Sequence, residues 1–193
     1  MPLVEKHPLQ FFLPKESKIL MLGSFPPPQK RWSMNFFYPN FQNDMWRIFG
    51  YLFFNDKNYF VDLLGKKFLE LKLRKFLTEK GVALGDTATE VIRLKENASD
   101  KFLEVVKTID LIEILEQIPK CSAVVVTGQK ALETILSLFD NVEEPKIGNY
   151  VEVQIQKRAI RIYRMPSSSR AYPLALIEKA VFYKKMLENE GLL

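Results

Sequence analysis

The sequence predicts an α/β domain built on a mainly parallel sheet, and three observations predict it. Short apolar segments of strand length alternate with segments of helical periodicity along the 193 residues. One of them, Ala123 to Thr127, is apolar and β-branched until its last residue, the pattern of a strand covered on both faces. Two loops rich in Pro and small polar residues, after Gly23 and after Arg164, each follow a short apolar stretch and each lead into a helical pattern. In open α/β sheets such loops leave the carboxyl ends of strands and build the ligand crevice.

Taken in order, Ile19-Leu20-Met21-Leu22 is a short buried strand ending at Gly23. Phe25 to Asn43 is long and Pro-rich, and its aromatic content marks a functional loop rather than disorder. Asp44 to Phe54 carries Met45, Ile48, Phe49, Leu52 and Phe53 at helical spacing, with Asn43 or Asp44 as cap. Asn58 to Lys80 reads as a longer helical stretch broken near Gly65 and stopped at Gly81. Val82-Ala83-Leu84 is a second strand, followed by Gly85-Asp86-Thr87. The run 97–108 has no clear pattern. Ile109 to Ile118 is helical, with Asp110 near its start and Pro119 beyond its end. Gly128-Gln129-Lys130 turns from the third strand into a helix, Ala131 to Phe139. Val151 to Ile155 and Ile160 to Tyr163 alternate around Gln156-Lys157-Arg158 as a strand pair. Pro173 to Glu190 is a last amphipathic helix with Leu174, Ile177, Val181 and Leu187 as its apolar set. No repeat or linker divides the chain, so residues 1–193 form one domain.

Composition narrows the chemistry. Hydrophobic residues make up 47% and charged residues 26%, as in soluble globular proteins. No apolar run reaches the ~18 residues of a membrane span, and the N-terminus lacks a basic-then-apolar signal; the expectation is a cytoplasmic protein with no membrane partner. Cys121 is the only cysteine, so no internal disulfide or cysteine-held cluster forms within one chain. It precedes an apolar strand and is expected to be buried. His7 is the only histidine and reads as a solvated group on the N-terminal arm, which disfavours Ser-His-Asp and Cys-His catalysis. A net charge of +5 fits an anionic partner such as nucleic acid.

The loops carry a family resemblance. Leu20-Met21-Leu22-Gly23-Ser24-Phe25-Pro26 resembles the first motif of the uracil-DNA glycosylase superfamily, closest to its hypoxanthine-DNA glycosylase and mismatch-specific branches. Phe37-Tyr38-Pro39-Asn40-Phe41-Gln42-Asn43-Asp44-Met45-Trp46 is similar to the stretch that follows it in the hypoxanthine branch. Gly81 to Asp86 resembles the second strand with its aspartate, Val124 to Ala131 the third strand and turn, and Met165 to Ala171 the C-terminal Pro-Ser loop. The matches cover most of the chain in the right order.

The resemblance implies a three-layer α/β/α sandwich with a central parallel sheet. It implies a monofunctional glycosylase that flips a deaminated base, hypoxanthine or uracil, out of DNA and hydrolyses its N-glycosidic bond. No metal, cofactor or covalent intermediate is implied, and a monomer is expected. By the same resemblance Tyr38 stacks on the base and Asn43 is catalytic, orienting water or the base edge; Asn43 is equally placed to cap the next helix. Backbone amides at Gly23, Ser24 and Phe25 would bind the base. Ser167, Ser168, Ser169 and Arg170, with Lys30 and Arg31, would grip DNA phosphates. Asp86 reads as a turn or cap residue, with a general-base role as the alternative.

The chain departs from the family at named places. Phe25 stands where the mismatch-specific branch has a catalytic Asn, Pro27 replaces a Gly and so lacks an N–H, and Asn40-Phe41 replaces a His-Pro. The changes at Phe25 and Pro27 leave open a DNA-binding or lesion-sensing protein without the chemistry; a separate alternative is an enzyme acting on a small nucleotide or nucleoside in the same cleft.

Overall fold

The computed structural model describes residues 3–95 and 100–193, so the unpatterned run at 97–108 lies partly outside the described residues. In chain order the elements are β1 (Val4–Lys6), β2 (Ile19–Gly23), α1 (Met45–Phe54), β3 (Val61–Asp62), β4 (Lys67–Phe68), α2 (Glu70–Lys80), β5 (Val82–Asp86), β6 (Ala88–Arg93), β7 (Leu103–Thr108), α3 (Leu111–Gln117), β8 (Ala123–Thr127), α4 (Gln129–Leu136), β9 (Tyr150–Ile155), β10 (Arg158–Met165) and α5 (Leu176–Asn189). The central sheet runs β5-β2-β8-β10-β9. Its first four strands are parallel, and β9 pairs antiparallel to β10 at the edge.

Strands β2, β5 and β8 are buried along their whole length. Their apolar residues therefore divide between two faces by the period of two. Ile19, Met21, Val82, Leu84, Ala123 and Val125 pack with α1, α2 and α5 on one side. Leu20, Leu22, Ala83, Val124 and Val126 pack with α3 and α4 on the other. The result is the expected three-layer α/β/α sandwich. Cys121 is buried, its thiol donates to the Ala123 carbonyl at 3.3 Å, and burial pushes its pKa up to about 11. Among the described residues no helix is long and apolar enough to cross a membrane.

A second, antiparallel sheet, β1-β6-β7, stands beside the first. Its pattern is mixed because only Ala88, Val91 and Leu103 turn inward, against Phe25. Strand β1 ties the N-terminal arm to β6, with Val4 opposite Ile92. This pairing fixes the direction of the residues that follow.

Two expectations are corrected. The stretch from Asn58 is not helical until Glu70. Between them lies the small hairpin β3-β4, where Asp62 accepts from the Gly65 N–H at 2.9 Å and Lys66 takes a left-handed φ of 47°. Local side-chain bonding of this kind competes with helix. In α5 the inward face is also rotated from the one expected: Ile177 and Val181 are 52% and 64% exposed, while Lys179, Ala180, Tyr183, Met186 and Leu187 are buried. The lysine inside the helix turns the face, because its ammonium has a carboxylate partner in the core.

That assignment predicts that Met186→Ala costs about 2–5 kcal/mol of unfolding free energy, whereas Val181→Ala stays within about 0.5 kcal/mol. Chemical denaturation of the two variants checks it.

Candidate active site

A cleft of about 400 Å³ opens over the carboxyl ends of β2, β5, β8 and β10. That volume lies in the ordinary range of ligand pockets, about 300–1,000 Å³. Both loops expected to share a site line it, through Gly23 to Pro27 and Tyr38 to Asn43 on one side and Ser167 to Ser169 on the other.

The long first loop is ordered by bonds to its own backbone. Trp32 Nε1 donates to the Pro27 carbonyl at 2.7 Å, Ser33 Oγ to Pro39 at 2.8 Å, and Trp46 Nε1 to Phe37 at 3.1 Å. Arg47, 5% exposed, donates to the carbonyls of Phe41 and Asn43 at 2.9 and 3.1 Å and lies over the Phe41 ring. These bonds meet the carbonyls of a Pro-rich segment that has few ladder partners.

The two loops are clamped together by one buried charge cluster. Asp44 follows Asn43, and its backbone N–H donates to the Ser168 carbonyl at 2.8 Å. Its carboxylate, 7% exposed, takes Lys179 Nζ at 3.2 Å and Arg170 Nε at 2.9 Å. Lys179 has a fully buried side chain and also donates to the Ser169 carbonyl at 2.8 Å. Arg170 reaches Gln42 Oε1 at 2.9 Å as well. Arg170 therefore spans the two loops beside the cleft rather than lining it.

Asn43 is half-buried in the cleft wall. Its Oδ1 accepts the Met45 N–H at 2.9 Å, the helix-start role open to it from sequence. The N–H fixes which end of the amide is oxygen, and the Nδ2 end carries two donors. Tyr38 lines the cleft with φ 51°, its ring edge-on to Trp46 at 5.8 Å and its hydroxyl 3.1 Å from Thr127 Oγ1. Burial raises its pKa well above the ordinary phenol range. Its ring is thus part core and part cleft wall.

The strand-end groups divide. The Gly23 N–H acts on the Asp86 carboxylate, lowering its pKa. A Cβ on Gly23 would stand 2.4 Å from Asp86 Oδ1, so a larger residue here would displace that carboxylate. Ser24 and Asp100 line the cleft together, and the Phe25 ring turns into the small sheet. Ser168 is 2% exposed. Ser167 and Ser169 accept the N–H groups of Ser169 and Ala171, both at 3.2 Å, and their hydroxyl protons stay available. Arg31 lines the cleft; Lys30 is exposed on the same short 3₁₀ turn, Gln29–Arg31.

The expectation for His7 is overturned. It is not solvated: its side chain is 10% exposed, with Nε2 2.8 Å from Asp86 Oδ2 and the Phe25 ring edge-on at 5.1 Å. Pairing of β1 with β6 carries the arm onto the sheet end, where the His7 N–H donates to the Thr89 carbonyl. Asp86 is likewise not a turn residue but a cleft-lining carboxylate. Burial raises its pKa above the usual carboxylate range, opposed by His7 and by the Gly23 N–H. Asp100, also in the cleft, is raised by burial and by the charge of Asp86, opposed by Ser24. Sequence reasoning missed Thr127, Asp100 and Lys179 as parts of the site. Among the described residues no three His, Cys, Asp or Glu side chains converge as metal ligands.

The clamp predicts that Asp44→Ala, which leaves Lys179 buried without its carboxylate, costs about 3–5 kcal/mol. The double variant Asp44→Leu with Lys179→Met recovers most of that loss, as read by denaturant titration.

No family model and no curated protein matches the chain. It is similar to the solution NMR structure of a "putative Uracil DNA glycosylase" from Methanosarcina acetivorans at 21% identity, with a TM-score of 0.60. The match covers 95% of this chain and 99% of that one. The likeness shows the fold: a mixed α/β domain whose central, mainly parallel sheet is flanked by helices, as in that protein.

Proposed function

We propose that this chain is a DNA glycosylase that hydrolyses the N-glycosidic bond of a flipped deaminated base, uracil or hypoxanthine. The observation that carries the reading is the convergence of Tyr38, Asn43 and the Ser167–Ser169 loop on one cleft above four parallel strand ends. The likeness to a structure named for uracil-DNA glycosylase supports it over nearly the full length of both chains.

The chemistry follows from these groups. Bond breaking places positive charge on the sugar and negative charge on the leaving base. The Nδ2 donors of Asn43 suit an acceptor on the base edge, where negative charge grows. Donors aimed at developing charge in a water-poor cleft are worth far more than in water. Tyr38 provides an aromatic wall, and a base on such a face gains about 1–3 kcal/mol. The hydroxyls of Ser167 and Ser169, with Arg31 and Lys30 nearby, face the strand's phosphates. A net charge of +5 brings the anionic partner in. The protein would act as a monomer.

A single-turnover base-release assay on oligonucleotides with one uracil or one hypoxanthine tests this. Release is expected, and Asn43→Ala should slow it by about 10²-fold, the usual cost of one donor to developing charge. No release from either substrate by folded protein overturns the proposal. Release that is indifferent to Asn43→Ala removes the role given to that residue.

A further inference from the structure

The cleft holds an acceptor as well as donors, and the acceptor is held from the far end of the chain. Asn43 cannot take a proton from water, because a neutral amide is far less basic than a carboxylate, and its oxygen already accepts the Met45 N–H. Thr127 and Tyr38 bond to each other. Asp86 lines the cleft with one oxygen, Oδ2, toward His7 Nε2 at 2.8 Å. Each carboxylate oxygen has more than one acceptor direction, so the group still has a lone pair for water.

The imidazole is set to work in either protonation state. Its Nδ1 faces both polar groups of Leu9: the carbonyl at 2.8 Å and the N–H at 3.1 Å. As the neutral ring, Nδ1 accepts the Leu9 N–H while Nε2–H donates to Asp86. As the cation, Nδ1–H donates to the Leu9 carbonyl and Nε2–H still donates to Asp86. Phe25 and Phe37 flank the ring at 5.1 and 6.2 Å and restrict its rotation. An Asp–His pair built only for packing does not need a second nitrogen that both a donor and an acceptor can satisfy.

We propose that Asp86 is the general base of the reaction put forward above and that His7, on the N-terminal arm, is its positioning residue. The N-glycosidic bond breaks and its electron pair leaves with the base. Water adds its oxygen to the sugar carbon and gives one proton to Asp86. His7 keeps its hydrogen bond to Asp86 throughout, and Asp86 then releases the proton to solvent. The inference rests on the glycosylase reading for its reaction, but the pair itself is set by geometry.

Asp86 must be ionised to act, so the rate falls as pH drops through its pKa. Burial raises that pKa and His7 lowers it, so losing His7 should move the acidic limb to higher pH. The other charged or titratable groups facing the pair are Asp100 before β7 and Tyr38 on the long loop, with Arg93 and Lys130 acting on Asp100.

The test measures kcat for base release against pH in wild type, Asp86→Asn, His7→Ala and His7→Asn, beside carbon-13 NMR titration of the Asp86 carboxyl. Asp86→Asn should lose about 10²-fold or more in kcat, in the range of lost general-base catalysis, with DNA affinity nearly unchanged. His7→Ala should shift the acidic limb and the Asp86 titration together to higher pH, and His7→Asn, which keeps a donor, should shift them less. Wild-type kcat in Asp86→Asn overturns the inference. So does a His7→Ala variant slowed equally at every pH with an unmoved Asp86 titration, the result of a purely structural role. If wild type releases no base, the glycosylase reading and the general-base role fail together. The NMR titration still decides, separately, whether His7 controls Asp86.

Discussion

Asp44 is the constraint on which the rest of the site depends. It lies next to Asn43, 135 residues before Lys179 and 126 before Arg170, and its carboxylate holds both. A fully buried ammonium is costly unless paired and fully hydrogen-bonded. Lys179 meets that condition only when Asp44 and the Ser169 carbonyl are both in reach. The first loop, the C-terminal serine loop and the last helix must therefore be docked together or not at all. The backbone bond from Asp44 to Ser168 adds register to the same junction. The cleft takes its shape from this clamp, with loop ends from both halves of the chain held over a rigid parallel sheet.

A second tether acts from the opposite side. The short strand β1 joins the small sheet, and His7 leaves it pointing at the Asp86 carboxylate. The cleft is thus closed by one ion cluster on its α5 side and one imidazole–carboxylate pair on its small-sheet side. Between them stand the donors of Asn43 and the Tyr38 wall. Loops that carry function are usually positioned by such scaffolds rather than by their own propensities.

What was legible in the sequence had a local cause. The strands of the central sheet show as apolar runs because both faces are covered, and β8 is the clearest of them. The hairpin of β9 and β10 shows through its alternation. The helix at Leu111 shows through Asp110, which caps it by accepting the Glu113 N–H. The two cleft loops show through proline, serine and aromatic content. The illegible parts depend on partners far along the chain. Nothing near His7 marks it as buried, because Asp86 is 79 residues away and a three-residue strand carries it there. The inward face of α5 is hidden because Lys179 carries the signature of a solvent residue, and its partner Asp44 lies 135 residues away. The hairpin at Val61 to Phe68 is hidden by apolar residues that also suit a helix. Of the two roles read for Asn43, the structure shows the local one: its oxygen accepts the Met45 N–H at the start of α1, next to the cap position Asp44.

The central claim is that the cleft between the two loops receives a base extruded from DNA. Amide NMR with a uracil-containing oligonucleotide added stepwise tests it most directly. The account predicts shifts concentrated at Ser24, Tyr38, Asn43, Asp86 and Ser167 to Ser169, absent with a matched undamaged strand of equal length. Shifts centred on the outer face of the small sheet, or identical shifts with both strands, would contradict it.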